Sequence, residues 1–171
     1  MYKKNLTILN IFLLSLIIKL IFAYFFLKKE IMFPDSVHYF ELVHSNPKNL
    51  NFFNISFFIS KSATLHFIPF YLDSLIYKFL KIDFLILAIK IFLVNFSCVI
   101  WMKNFEIIVR RRGLFFLILL LFSPKLLLFS IFNLKDQYVF FFFTVGIYIV
   151  LKIKKFRILK LILTIIFSFF F

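Results

Sequence analysis

The chain has 171 residues, of which 64% are hydrophobic and 23% aromatic, and it carries a net charge of +14. So apolar a composition excludes a water-soluble globule and marks an integral membrane protein. Most Lys and Arg flank apolar runs, where they fix topology and meet anionic headgroups, so the charge is no sign of nucleic-acid binding.

Residues 6–27 form an apolar run long enough to cross the roughly 20-residue depth of the hydrocarbon. They are predicted as an uncleaved first span, preceded by Lys3 and Lys4, which favour a cytoplasmic N-terminus. Residues 28–83 hold Glu30, Asp35, Glu41, Asp73 and Asp83, and read as a long outer loop with short interfacial helices. Within it, "LHFIPFYLDSLIYKFL" (65–80) is short and polar for a crossing. An amphipathic helix lying at the interface suits it better.

A second span is predicted over 84–102, running into Lys103, Arg110, Arg111 and Arg112. A third follows over 114–132, in which Pro124 sets a possible break. A fourth is expected over 138–151, ahead of Lys152, Lys154, Lys155, Arg157 and Lys160, and 158–171 begins a partial fifth. The architecture expected is therefore all-α: a helical bundle of four spans plus a partial fifth. With both basic clusters inside, the 28–83 loop and the 133–137 turn fall outside, and Glu106 alone of the 7 acidic residues faces inward.

The residues able to do chemistry gather in those two outer segments. "FPDSVHYF" (33–40) sets Asp35 and Tyr39 on one helical face with His38 beside them. Asp35 can take a proton from a sugar hydroxyl or bind a divalent cation, and after Pro34 it equally suits a helix N-cap. "NLKDQY" (133–138) offers the same alternatives for Asp136, with Lys135 able to neutralise a phosphate leaving group.

Lys90 and Lys125 interrupt apolar runs. Lys125 is a candidate for substrate binding because a break at Pro124 brings it toward the outer surface, and Lys90 reads as structural. The histidines have no metal-site spacing, Cys98 is the lone cysteine, and no Gly-rich phosphate loop, GxSxG or HExxH occurs.

"PDSVHYFELV", "HFIPFYLDSLIYKFLKID" and "FSPKLLLFSIFNLKDQYVFF" together resemble the N-terminal part of the GT-C superfamily of polytopic membrane glycosyltransferases. The resemblance implies transfer of a sugar from a polyprenyl-phosphate carrier to a glycan, lipid or protein acceptor on the outer face of a plasma membrane, bacterial by expectation. It makes Asp35 the general base or an acceptor ligand, Asp136 a second active-site carboxylate, Lys135 a contact to the carrier phosphate, and a divalent metal optional. Two departures stand out: the family's turn glycine before the second span is replaced around Lys81-Ile82-Asp83, and Lys125 directly follows the proline. Family members are longer, so the expectation is a truncated or split transferase. The competing expectation is a non-enzymatic membrane component of envelope polysaccharide assembly or transport, in which the two acids only cap helices.

Overall fold

The structure, a computed structural model, describes residues 2–28, 44, 67–110, 113–132 and 136–152. Among these residues every regular element is helical: α1 (Tyr2–Lys28), α2 (Phe67–Leu80), α3 (Asp83–Val109), α4 (Leu114–Leu121), α5 (Pro124–Ile131) and α6 (Asp136–Lys152). Two helices, α1 and α3, are long and apolar enough to cross a membrane, and α4 with α5 gives a third crossing if the bent pair is one span. With 17 residues, α6 extends about 25 Å at ~1.5 Å per residue.

Each boundary has a local cause. Lys81 adopts a left-handed φ of 51° and donates its N–H to Tyr77 O at 2.8 Å, which closes α2 and reverses the chain into α3. Arg110 does the same for α3 with a φ of 56° and a bond to Glu106 O at 3.1 Å. Pro124 supplies no N–H and its ring crowds the preceding turn, so the apolar run 114–132 breaks into α4 and α5, bent by 55°.

Helix α3 touches every other described helix. It runs antiparallel to α1: Lys4 reaches Glu106 at one end, Lys19 meets Asn95 in the middle, and Tyr24 packs edge-on against Phe84 at the other end. The α4–α5 pair climbs back. Leu117 and Leu121 of α4 pack with Cys98 and Met102, whereas Ile131 and Phe132 reach Ala23, Leu87 and Ile91. Helix α6 then descends parallel to α3, with Tyr138 beside Lys90 and Phe141 against Phe96.

The described helix ends therefore sort into two groups. Lys4, Lys103, Glu106 and Arg110 mark one end, toward which α6 carries Lys152. Lys28, Asp83 and Asp136 mark the other, called here the acidic end. Leu6, Leu9, Leu13, Leu14, Ile17 and Ile21 leave a large apolar face of α1 exposed, as suits a helix bathed in lipid.

Candidate functional site

One cluster of buried polar side chains lies toward the acidic end. Helix α2 turns Asp73 and Ser74 into the protein while Lys78 stays exposed. Asp73 Oδ2 lies 2.5 Å from Lys90 Nζ of α3, and Tyr138 of α6 donates its hydroxyl hydrogen to Asp73 Oδ1 at 2.6 Å. The ammonium also sits 5.2 Å from the centroid of the Tyr138 ring. Asp73 and Lys90 are both fully buried. In so dry a setting a lone charge is costly, and an opposite charge with further hydrogen bonds offsets much of that cost. One carboxylate thus ties three helices together.

Gln137 is buried beside it and closes α5. The two hydrogens of its Nε2 are shared among Phe129 O at 2.7 Å, Ser130 O at 2.8 Å and Phe132 O at 2.7 Å, carbonyls at a helix end that lacks intrahelical donors. Ser74 Oγ and Gln137 Oε1 are buried with no hydrogen-bond partner among the described residues. The start of α6, and Asp136 with it, is therefore anchored by two buried side chains, Gln137 and Tyr138.

Asp136 itself is exposed in the first turn of α6, where a carboxylate complements the helix dipole. Lys125 is also exposed, but it stands in the first turn of α5, at the opposite end of that helix from Ile131. Asp35, His38, Tyr39 and Lys135 lie outside the described residues. Among the described residues, no group of three or more His, Cys, Asp or Glu converges as a metal site.

His44 marks where the chain stands beyond 29–43. Its Nε2 is 2.7 Å from Asp83 Oδ1 at the start of α3, and its ring lies over Tyr77 with centroids 4.3 Å apart. Both contacts are at the acidic end.

Sequence reasoning missed the Asp73–Lys90–Tyr138 set. A signal was present: Asp73 and Lys90 are charges of opposite sign in apolar surroundings, equidistant in sequence from the Lys81–Ile82 turn. In a helical hairpin, residues so placed come level with each other.

No family model matches the chain, and no curated protein and no solved structure matches it.

Proposed function

We propose that the chain is an integral membrane protein of the glycosyltransferase kind, crossing a bacterial plasma membrane four times with a partial fifth crossing and with its N-terminus inside. It acts on a polyprenyl-phosphate-linked sugar at the acidic end. One observation supports this reading above the rest. The chain leaves α1 at Lys28 on the acidic end and is held there again at His44, against Asp83 and Tyr77. The intervening segment, which carries Asp35, His38 and Tyr39, thus starts and finishes on the end that exposes Asp136.

In the proposed reaction Asp35 takes the proton from the acceptor hydroxyl, and the acceptor oxygen bonds to the anomeric carbon with inversion. The anomeric carbon–oxygen bond to phosphate breaks, and the polyprenyl phosphate departs against Lys135. Tyr39 and His38 orient the acceptor, and Asp136 holds the sugar from the opposite loop. Asp73, Lys90 and Tyr138 fix the height of α6 and thereby the place of Asp136.

The full-length protein in membrane vesicles, given radiolabelled sugars on polyprenyl phosphate, tests the proposal. Asp35→Asn and Asp136→Asn retain the ability to cap a helix but not to accept a proton. Each is expected to lower transfer by about 100-fold or more. Transfer unchanged in both variants, or none from any donor in the parent protein, favours the non-enzymatic assembly or transport role instead. Cysteines placed at Lys28 and Asp136 in a Cys98→Ser background are expected to react with an impermeant maleimide from one side, and cysteines at Lys4 and Lys152 from the other.

A further inference from the structure

Between the two apolar clusters of the bundle lies a polar layer that the proposed reaction does not use. Above it pack Ala23, Leu87, Ile91, Ile131 and Phe132, and below it Cys98, Met102, Leu117 and Leu121. The layer holds Ser15 and Lys19 of α1, Asn95 of α3, and the break between α4 and α5. Lys19 Nζ donates to Asn95 Oδ1 at 2.6 Å, and both residues are almost wholly buried. Unlike Lys90, Lys19 forms no ion pair with any described carboxylate. Asn95 Nδ2, fully buried, has no acceptor. The buried serine and threonine hydroxyls of α3, α5 and α6 are satisfied within their own helices, Ser97 by Leu93 O, Ser130 by Leu127 O and Thr144 by Phe140 O.

The helix break adds to the same imbalance. Ser15, one turn from Lys19 on the same face of α1, donates to Leu121 O at 3.4 Å, so the end of α4 is reached from this layer. Next to it α5 begins at Pro124, and Ser123 makes no side-chain cap bond. The first N–H groups of a helix lack intrahelical acceptors and carry the positive end of its dipole. A buried ammonium, an amide NH₂ without an acceptor and the start of a half-helix thus lie at one depth, with no carboxylate among the described residues there to balance them. Half-helix N-termini inside membranes are a recurrent way of holding anions.

We propose that this layer is a binding site for one small monovalent anion of the halide class, held by Lys19 Nζ and Asn95 Nδ2 at the start of α5. The stoichiometry follows from charge: a single ammonium is balanced by a single monovalent anion, whereas a dianion leaves net negative charge in an apolar core. The site lies inside the bundle, apart from Asp136, and holds whether or not the chain transfers sugar.

The experiment uses the full chain in zwitterionic-lipid nanodiscs, titrated with sodium bromide against sodium gluconate at constant ionic strength. The parent protein is expected to show a saturable rise of about 4 °C in its unfolding midpoint at roughly ten times the dissociation constant, with broadening of the ⁸¹Br resonance. Lys19→Met removes the cation and is expected to abolish both signals. Asn95→Asp supplies a fixed carboxylate beside Lys19 Nζ and keeps the test decisive if the methionine variant fails to fold. It is expected to lose bromide broadening while melting in gluconate at least as high as the parent protein does in bromide. Equal bromide responses in the parent and Asn95→Asp, a flat response in the parent, or sulfate raising the parent midpoint as much as bromide overturns the proposal.

Discussion

Asp73 and Lys90 face each other across a helical hairpin, 2.5 Å apart and wholly sealed from solvent, at equal sequence distances from the Lys81–Ile82 turn. Few other buried side chains of α2 are available to hold it: among its described side chains only Asp73 and Ser74 are buried, and the apolar ones are half-buried or exposed. Among the described side chains of α2, the charge pair is thus the buried link to α3.

Removal of one partner is expected to be worse than removal of both. Lys90→Met leaves the Asp73 carboxylate buried with only the Tyr138 hydroxyl, and a loss of about 3–5 kcal/mol is expected for such a stranded charge. The double variant Asp73→Leu, Lys90→Met is expected to recover most of that loss. Denaturation in detergent micelles of the parent, both single variants and the double variant measures the coupling, and additive losses contradict the pairing.

Lys81 occupies the left-handed backbone region, with a φ of 51°, in the turn where the resemblance leads one to expect glycine. A side chain there costs about 1 kcal/mol that glycine avoids. Lys81→Gly is therefore expected to stabilise the protein by up to that amount, less the added freedom of the unfolded chain. A rise in unfolding midpoint by circular dichroism checks it.

Gly113 has the opposite requirement. A Cβ built there comes to 2.7 Å from Met102 Cγ and 2.9 Å from Met102 O, and the glycine N–H donates to Glu106 Oε1 at 3.0 Å. Gly113→Ala is expected to lose about 1–3 kcal/mol. Adding Met102→Ala is expected to relieve only part of it, because the carbonyl contact remains. Comparative melting of the two variants distinguishes backbone from side-chain crowding.

Gln137 caps α5 through three carbonyls, so Gln137→Leu is expected to cost about 1–3 kcal/mol through the unpaired acceptors. Gln137→Glu is expected to be worse than leucine, since it turns a carboxylate toward carbonyl oxygens. Hydrogen exchange over residues 127–138 should rise in both variants. Exchange confined to α6 alone contradicts the capping role.

How far the sequence disclosed this arrangement depends on the range of the interaction. Long apolar runs signalled α1 and α3, because crossing hydrocarbon demands unbroken length and apolarity, although α3 continues past the expected end at 102 to Val109. Pro124 signalled the break, because its effect on the preceding turn is local, though nothing local fixes the 55° bend. Residues 67–80 are helical, but the pattern of 65–80 did not reveal that Asp73 points inward. Its partner Tyr138 lies 65 positions away on another helix, where no periodicity within one segment reports it. Gln137 was hidden for a different reason: it follows Asp136 in a motif whose acidic residue drew attention, yet Gln137 is the side chain that holds the turn. Asp136 was legible as a helix start, and there it stands.

The two buried lysines differ in when their partners come to exist. Asp73 is synthesised before Lys90, so that ion pair can close as soon as the second arm of the hairpin emerges. Lys19 has no such precursor, for Asn95 follows it by 76 positions. At ordinary elongation rates of about 5–20 residues per second, α1 waits on the order of 4–15 seconds with its ammonium unmatched. During that interval the Lys19 ammonium is without the Asn95 oxygen that receives its hydrogen in the folded bundle.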